Sequence, residues 1–472
     1  MSQETDYDVI VIGGGGAGMA AAIEAADAHA SVALVEVHDK LGGSTALSGG
    51  VFYAAETSVQ SARGISDSID AMFEYYMTLN QYRVDASLAR TLCENAGAGL
   101  EWLIDMGVDF APEGLYSSGV ESIPRGHPAS GMGREIADTL DREVSKRDID
   151  VVLKSRITEL LFDDEQTRVT GVRIGPDAIT ARAVVLATGG FGANPYLLNE
   201  HYPDAAAQTD KAWYIGSEHC IGDGLLMGEQ AGADIVGHNR GLLLTTPNFK
   251  KELEVYVPGW LVYVNREGRR FVNEMAEYAV MSGVIGAQTG GSCFAVFDDE
   301  ARRAAKPSRQ YEGAFAAGMI SLNWVTEEIE AQLKTGKVMQ ADTLESLETS
   351  CGIRPGSIQT TLDKYNQDIE RGEDSMFFKA HEEMKPVAIP PFYAVEIFPA
   401  IVCLTSTGLR INNKTQVLNH RDQVVRGLFA AGETTGDVLG ERYIGGGNSI
   451  ANAIVFGRIA GQEAAGEAAR NN

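Results

Sequence analysis

A glycine-rich turn near the start of the chain has residue types and a spacing that suit the binding of a dinucleotide. Residues 7–12, YDVIVI, are typical of a buried parallel strand, and Gly13, Gly15 and Gly18 follow in the pattern GxGxxG. Two of these glycines let the backbone approach a pyrophosphate, and the third lets a helix pack on the strand. Glu36 follows about 20 residues later, where a carboxylate can accept a hydrogen bond from a ribose hydroxyl. The motif predicts a dinucleotide with an adenosine, and it leaves FAD and NAD both open.

A second glycine-rich segment, HDKLGGSTALSGG at residues 38–50, resembles the part of flavoproteins that runs along the FAD pyrophosphate and the isoalloxazine ring. The resemblance implies that the dinucleotide is FAD. Flavoprotein subunits that attach FAD covalently carry a histidine in this segment, and no histidine occurs between Lys40 and Gly50. We therefore expect FAD to be held without a covalent bond.

Two later segments also have the pattern of a strand followed by a glycine turn. They are ITARAVVLATGGFGAN at residues 179–194, which resembles the ATGG element of flavoproteins, and VVRGLFAAGETTGDVLG at residues 424–440. Glu433 in the second segment is suitably placed for a ribityl or ribose hydroxyl. Because both ends of the chain carry such segments, we expect the cofactor domain to be discontinuous in sequence.

Together these segments resemble the flavoprotein family of fumarate reductase, succinate dehydrogenase and the 3-ketosteroid dehydrogenases. The resemblance continues through GDGLLMGEQAGA at residues 222–233, VYVNREGRRFVNE at residues 262–274 and GRIAGQEAA at residues 457–465. It therefore covers nearly the whole chain. Since one fold of this kind hosts several chemistries, the branch has to be argued from individual site residues.

The resemblance implies an α/β fold with a Rossmann-like FAD-binding domain formed by residues 1–239 and 400–472. An inserted α+β capping and catalytic domain is expected at residues 240–399. Within the insert, residues 326–377 have the charged amphipathic pattern of helices separated by turns. Prolines at residues 387–401 mark the expected return into the FAD-binding domain.

Three positions that would hold or protonate a dicarboxylate in the fumarate reductases differ in this chain. The proton-donating arginine of those enzymes follows the RRFVNE sequence by four residues, where this chain has Tyr278. Their substrate-binding histidine corresponds to Leu404 or Thr405, and their second arginine to Tyr443 or Ile444. Because guanidinium groups suit carboxylates, these differences argue against fumarate as the substrate.

The same positions match the 3-ketosteroid dehydrogenase branch, which resembles this chain at NEMAEYAV and YIGGG. The resemblance implies that Tyr278 is a base, that Tyr443 and the N–H of Gly447 hold a substrate ketone, and that Tyr116 is a third phenol. Desaturation beside a ketone removes an α proton, transfers a hydride to the flavin and needs donors on the enolate oxygen. We therefore expect an FAD-dependent dehydrogenase that forms a C=C bond α,β to the ketone of a 3-ketosteroid or a smaller cyclic ketone.

Two other functions remain open. One is a reductase of an unsaturated carboxylate or an enone, which Arg442 favours because it could meet a carboxylate. The other is an electron-transfer subunit of a membrane complex, which the lack of an iron–sulfur cysteine cluster disfavours. Arg125 and His127 either anchor a loop or approach the flavin. The candidate apolar pocket walls are Trp213, Tyr214, Phe249, Tyr256 and Trp260.

The predicted FAD-binding residues all lie in or beside the segments described above. They are Gly13, Gly15, Gly16, Ala17, Gly18, Glu36, Val37, Gly42, Gly43, Ser44, Thr45, Ser48, Gly49, Gly50, Ala187, Thr188, Gly189, Gly190, Asn194, Asp223, Gly432, Glu433, Asn448, Ser449 and Ile450. The last three are expected to run toward the flavin pyrimidine, at the start of a helix whose N-terminus can stabilise a reduced, anionic flavin. No metal site is predicted.

Composition restricts the partners and the compartment. The formal charge is −26, from 65 acidic and 39 basic residues, which disfavours nucleic acids and anionic lipids as partners. The five cysteines are scattered without a CxxC pair, so neither a disulfide framework nor a zinc site is expected. The chain begins without a signal-peptide pattern and has no apolar run of about 18 residues. We expect a soluble, cytoplasmic protein with a small-molecule substrate and an external electron acceptor.

Overall fold

The computed structural model describes residues 5–208, 211–252, 257–307, 315–316 and 322–470. One of the aromatic residues predicted to line a pocket, Tyr256, lies outside these described residues.

The strands and helices of the described residues are numbered separately in chain order. The strands are β1 (Tyr7–Ile12), β2 (Val32–Val35), β3 (Val51–Tyr53), β4 (Gly126–Pro128), β5 (Ile149–Val152), β6 (Glu159–Phe162), β7 (Val169–Ile174), β8 (Asp177–Leu186), β9 (Trp213–Tyr214), β10 (Ile235–Val236), β11 (Gly241–Thr246), β12 (Val262–Val264), β13 (Cys293–Asp298), β14 (Val338–Ala341), β15 (Phe392–Thr405), β16 (Gly408–Leu409), β17 (Gln416–Leu418) and β18 (Val424–Ala430). The helices are α1 (Gly16–Asp27), α2 (Gly43–Leu47), α3 (Ser58–Ala62), α4 (Ile69–Leu79), α5 (Ala86–Asp105), α6 (Met132–Ser145), α7 (Pro195–His201), α8 (Pro203–Ala206), α9 (Asp223–Gln230), α10 (Tyr278–Gly286), α11 (Asp299–Arg303), α12 (Thr326–Thr335), α13 (Leu344–Cys351), α14 (Ser357–Arg371) and α15 (Asn448–Arg470).

The chain divides into two compact units, each built from more than one segment. Unit 1 comprises Met1–Ala207, Gly216–Leu242 and Val402–Asn472, and unit 2 comprises Gln208–Ile215 and Leu243–Ile401. The long segment of unit 2 falls close to the predicted insert at residues 240–399. Its role as a capping and catalytic domain stays a proposal.

Unit 1 is built on a largely parallel sheet with the order β17-β18-β8-β1-β2-β5. Strands β18, β8, β1, β2 and β5 are parallel along this path, whereas β17 pairs antiparallel with β18 and a β6–β7 ribbon pairs antiparallel with β8. The side chains of Val9, Ile10 and Val11 in β1 are completely buried, as expected for a central parallel strand. Unit 1 therefore has the predicted α/β, Rossmann-like architecture.

Helices α1 and α15, which come from opposite ends of the sequence, pack with their backbones very close together. A Cβ atom at Gly457 of α15 would lie 2.4 Å from the carbonyl oxygen of Ala17 in α1, and one at Gly461 would lie 2.2 Å from that of Ala21. Side chains are therefore excluded at both positions, and the backbones of α1 and α15 are in direct contact. This contact fixes the C-terminal helix against the helix that follows the first glycine turn.

Unit 2 contains an antiparallel sheet in which β13 lies between β12 and β15, and β14 pairs with β15. Against one face, Trp260 packs edge-on to Trp324 at 6.2 Å between ring centroids, and Phe249 lies 5.8 Å from Trp324. Phe249 thus belongs to the buried core cluster of unit 2, whereas Trp260 is partly buried and packs against that cluster. Trp213 and Tyr214 form β9, which also pairs with β15.

Helices α13 and α14 cover a second apolar cluster of unit 2, with Leu347, Ile358 and Leu362 at its centre. Strands and helices together give this unit a mixed α and β composition. Among the described residues, no helix is both long enough and apolar enough to cross a lipid bilayer.

The contact between α1 and α15 predicts opposite effects for two glycine-to-alanine changes in the same helix. Gly457→Ala should destabilise the protein by about 1–3 kcal/mol, because the new methyl group would force α15 away from Ala17. Gly466→Ala is the matched control, because the nearest atom to its Cβ would be Arg470 Nη1 at 3.9 Å. The control should be neutral or stabilising by up to about 1 kcal/mol, because alanine favours a helix. Thermal unfolding measures the stability of both variants, and equal unfolding midpoints would contradict the assigned contact between α1 and α15.

Candidate active site

The first glycine turn leaves an open space at the start of α1. Gly13 has a φ of +104°, and a Cβ at Gly18 would lie 1.8 Å from the carbonyl oxygen of Gly13, so both positions require glycine. Gly15 differs from them, because its φ is −76° and no atom lies within 4 Å of the position of an added Cβ. The first turn of α1 carries no acidic residue. Its N–H groups can therefore face an anion such as a pyrophosphate.

Glu36 is held in place by backbone donors at the end of β2. Its Oε2 accepts a hydrogen bond from the N–H of Gly14 at 2.5 Å, and its Oε1 accepts one from the N–H of His38 at 2.8 Å. Each carboxylate oxygen has a further lone pair, so both can still accept from a ribose hydroxyl. This arrangement fits the predicted role of Glu36 toward an adenosine ribose.

The second glycine-rich segment lies against the first. Thr45 in α2 accepts a hydrogen bond at its Oγ1 from the N–H of Gly16 at 3.2 Å, and Ser44 Oγ accepts from the N–H of Ser217 at 3.0 Å. Gly42 and Gly43 both have positive φ, and Gly49 has no atom within 4 Å of an added Cβ. The segment therefore continues the open space that begins at Gly15.

Glu433 joins the turn after β18 to the turn after β8. Its Oε1 accepts hydrogen bonds from the N–H and the hydroxyl of Thr405 at 2.8 and 3.1 Å, and a Cβ at Gly190 would lie 2.4 Å from this oxygen. Burial raises the pKa of Glu433. In the structure this residue therefore supports the turn, and contact with a ribityl hydroxyl stays a prediction.

Three side chains that the sequence predicts on FAD also have protein partners. Asp223 forms a two-pronged ion pair with Arg156, with distances of 2.6 and 2.9 Å. Asn194 caps α7 by accepting hydrogen bonds from its first backbone N–H groups. Asn448 is completely buried and donates from Nδ2 to Tyr76 Oη at 3.0 Å. These contacts fix the three side chains, and their contact with FAD stays a prediction.

The GERYIGGGNS loop is held by α4 and the residue after it, which the sequence did not indicate. Tyr75 of α4 donates from its hydroxyl to the carbonyl oxygen of Ile444 at 2.7 Å. Asn80, just after α4, accepts at Oδ1 from the N–H of Arg442 at 2.8 Å. The sequence signal is a pair of tyrosines near the end of a short helix and an asparagine directly after it, but the partners of Tyr75 and Asn80 lie more than 350 residues away in sequence.

A second loop, residues 115–121, is joined to the same segment through its backbone. The N–H of Gly446 donates to the carbonyl of Ser118 at 2.8 Å, and Ser118 Oγ donates to the carbonyl of Gly446 at 2.9 Å. Tyr116 of this loop pairs with Gly126 through two backbone hydrogen bonds, and its side chain is 43% exposed. The structure therefore brings Tyr116 and the GERYIGGGNS loop into one cluster of loops.

The phenol of Tyr443 points into the start of α15. Its oxygen accepts from the N–H of Ser449 at 3.0 Å and donates its proton to Ser449 Oγ at 3.0 Å. Burial raises the pKa of Tyr443 to about 12. The sequence predicts that Tyr443 and the N–H of Gly447 both face a substrate oxygen; the structure directs the phenol at Ser449, and its contact with a substrate stays a prediction.

Arg125 and His127 anchor a loop of unit 1. The guanidinium of Arg125 forms a buried two-pronged ion pair with Asp67 at 2.7 and 2.8 Å. The His127 ring lies 2.9 Å from Thr57 Oγ1, and burial lowers the pKa of this histidine, so its ring is neutral at pH 7. The anchoring role is the better account of both residues.

Arg442 is a loosely held cation of the same loop cluster. Its guanidinium is 42% exposed and lies 3.7 Å from Glu441, whose carboxylate makes a shorter contact of 2.9 Å with Arg83. An exposed ion pair with so long a separation stabilises the protein little, so an anion can compete with Glu441 for this guanidinium.

Tyr278 is the one predicted site residue in unit 2, where it is the first residue of α10 and is 38% exposed. The segment before it is fixed by Glu274, which forms buried ion pairs with Arg270 at 2.8 Å and with Lys379 at 3.0 Å. Asp374 completes this group through an ion pair with Arg270 at 2.8 Å. Buried charges hold the backbone of this segment in one arrangement, because any other leaves a charge unpaired.

The open space at Gly15, the donors at the start of α1 and the acceptor oxygens of Glu36 fit FAD. A family model described as an FAD binding domain matches residues 8–450. The chain belongs to this family, that of the fumarate reductase and succinate dehydrogenase flavoproteins. It is an FAD-dependent oxidoreductase. Binding of FAD without a covalent bond stays a prediction.

The relatives of this flavoprotein catalyse both reductions and dehydrogenations, according to their names. It is 33% identical to a fumarate reductase (cytochrome) of Shewanella frigidimarina, over 98% of this chain and 78% of that protein. It is 30% identical to a urocanate reductase of Eggerthella lenta, over 98% of this chain and 75% of that protein. Among solved structures, it is similar to 3-ketosteroid-Δ4-(5α)-dehydrogenase from Rhodococcus jostii RHA1, with a TM-score of 0.78, 27% identity and 98% coverage of both chains.

The open space at Gly15 predicts that this flavoprotein tolerates Gly15→Ala as a fold but loses FAD affinity. The φ of Gly15 suits alanine and no protein atom opposes the methyl group, which would project into the space assigned to the pyrophosphate. We expect the apoprotein to unfold at the parental temperature, and the dissociation constant of FAD to rise at least about tenfold. Fluorescence titration with FAD measures this, and Gly466→Ala, at another open position without a positive φ, is the control for a methyl group elsewhere. Parental FAD affinity in Gly15→Ala would place the pyrophosphate elsewhere.

Proposed function

We propose that this flavoprotein reduces a carbon–carbon double bond conjugated to a carbonyl group, and that its substrate is an unsaturated carboxylate. The observation that carries the proposal is its similarity over nearly its full length to reductases of unsaturated acids, at 33% and 30% identity. The similarity to the ketosteroid dehydrogenase structure is lower, at 27% identity. Reduction is therefore favoured over the desaturation that the sequence alone predicted.

A substrate with one carboxylate agrees best with the residues of the site. The positions of the second arginine, the histidine and the proton-donating arginine of fumarate reductases carry uncharged side chains here, such as Tyr278. Arg442 supplies one guanidinium, which is only loosely held by Glu441. Since a planar guanidinium can bind one carboxylate through two hydrogen bonds, Arg442 is the proposed binding group for the acid.

Tyr278 is the proposed proton donor in the reduction. Once an external donor has reduced it by two electrons, FAD would supply the hydride that is added to the β carbon. The proton added to the α carbon comes from the Tyr278 hydroxyl, and the resulting phenolate is stabilised by its place at the N-terminus of α10. Because Tyr278 is 38% exposed, water can return the proton after each turnover.

A second candidate function is the dehydrogenation of a cyclic ketone. It is supported by the similarity to the ketosteroid dehydrogenase, which extends over 98% of both chains, and by the phenols at positions 116 and 278. The two functions differ in the direction in which the hydride and the proton move. Measurement of the direction therefore decides between them.

Replacement of Tyr278 by phenylalanine tests the proton donor. Removal of the hydroxyl should lower kcat for reduction of cinnamate by about 10²–10⁴-fold, which is the usual contribution of general acid catalysis. FAD content should stay unchanged, because the change removes one hydroxyl and leaves every predicted FAD-binding residue in place. Tyr196→Phe, at a tyrosine that is 85% exposed and has no predicted role, is the control, and a kcat of Tyr278→Phe within threefold of the parent would exclude Tyr278 as the donor.

Replacement of Arg442 by glutamine tests the class of substrate. The KM for cinnamate should rise at least about tenfold, whereas the KM for its uncharged methyl ketone, benzalacetone, should stay the same, because only the acid loses a charged partner. Arg83→Gln is a matched control, since it removes the other arginine that contacts Glu441. If Arg442→Gln affects the acid and the ketone equally, Arg442 does not bind the carboxylate.

A further inference from the structure

The first turn of α15 obtains its hydrogen-bond acceptor from a distant side chain. The first N–H groups of a helix have no acceptor within the helix, and a serine, threonine, aspartate or asparagine just before it normally supplies one. Here the residue before α15 is Gly447, which has no side chain to offer. The N–H of Ser449, the second residue of the helix, instead donates to the phenol oxygen of Tyr443 at 3.0 Å.

Gly447 cannot be exchanged for an ordinary capping residue. Its φ is +102°, and a Cβ there would lie 2.8 Å from the carbonyl carbon and oxygen of Val51 in β3. The loop therefore passes directly over the strand that follows the second glycine-rich segment, residues 38–50. Because a side chain is excluded at this point, the cap has to come from elsewhere, and Tyr443 supplies it.

The proton of the Tyr443 phenol is already committed to the start of α15. A phenol has one proton to donate and two lone pairs to accept with. The proton goes to Ser449 Oγ at 3.0 Å, and the oxygen accepts from the N–H of Ser449 at 3.0 Å. To hold a substrate carbonyl, the phenol would have to take its proton away from Ser449.

The start of α15 is coupled to both glycine-rich segments of the FAD site. Gly447 lies against β3, which directly follows residues 38–50, and Gly457 lies against the carbonyl of Ala17 at the start of α1. A shift of the first turn of α15 would therefore change the spacing between this turn and the segments assigned to FAD.

We propose that Tyr443 is a positioning residue for FAD: its phenol caps α15 and so holds the first turn of this helix in the arrangement that binds the cofactor. The role does not depend on the direction of the reaction or on the substrate. It predicts an effect on FAD binding in the absence of any substrate, which separates it from a role in catalysis.

The test is titration of the deflavinated full-length Tyr443→Phe variant with FAD, followed by flavin fluorescence. Loss of the cap should raise the FAD dissociation constant about fivefold or more. Tyr75→Phe is the matched control, because the Tyr75 hydroxyl also holds the loop but donates to the carbonyl of Ile444, which precedes α15. The control should change the dissociation constant less than twofold.

A second variant keeps the test decisive if Tyr443→Phe does not fold. Ser449→Ala retains the phenol and the N–H donor but removes the hydroxyl that accepts the phenol proton, so it should raise the FAD dissociation constant by about two- to fivefold. An unchanged dissociation constant in either folded variant would overturn the proposal. An equal rise in Tyr75→Phe would also overturn it, because the effect would then belong to the loop and not to the cap.

Discussion

Direct backbone contact between α1 and α15 is the constraint on which the FAD-binding unit depends. It brings the helix after the first glycine turn against the last helix of the chain, and side chains at Gly457 and Gly461 would block it. Because the partners come from opposite ends of the sequence, the unit can form only after the long insert between them has left its two ends close together. The discontinuity inferred from the glycine-rich segments thus has a physical basis in one helix pair.

The same contact explains why the GERYIGGGNS loop is so strongly fixed. The loop leads directly into α15, so its end is set by the helix, while Tyr75 and Asn80 hold its middle and Ser118 joins it to a neighbouring loop. Because the loop is held at several points, its backbone has a fixed position in which it can face the cofactor. Its one loosely paired cation, Arg442, can remain available to a ligand. This division between fixed backbone and available side chain is what a binding site requires.

Much of the fold and of the FAD site could be predicted from the sequence, because both depend on local patterns. The roles of Gly13, Gly18 and Glu36 follow from their spacing along the chain, and the structure places them as the motif requires. The partners of Asp223 and Asn448 could not be predicted, since Arg156 and Tyr76 lie far away in sequence. A single sequence does not indicate which distant side chain will meet a buried polar atom.

The contacts of the aromatic residues also could not be predicted from the sequence alone. Phe249 has the residue type of a pocket wall, but the packing of unit 2 places it in the core, and large apolar side chains suit both environments. Tyr443 was assigned to a substrate ketone by resemblance, whereas its hydrogen bonds go to the start of α15. In each case the residue type was informative about burial, and only the three-dimensional contacts defined the role.

The direction of hydride transfer tests the proposed function most directly. Anaerobic protein reduced with dithionite would be mixed in a stopped-flow instrument with cinnamate, crotonate and urocanate, and the flavin absorbance would be followed. We predict rapid reoxidation of the flavin by at least one of these unsaturated carboxylates, and no bleaching of the oxidised protein by 4-androstene-3,17-dione or cyclohexanone. Bleaching by either ketone, with no reoxidation by any of the acids, would contradict the proposed function and support a ketone dehydrogenase.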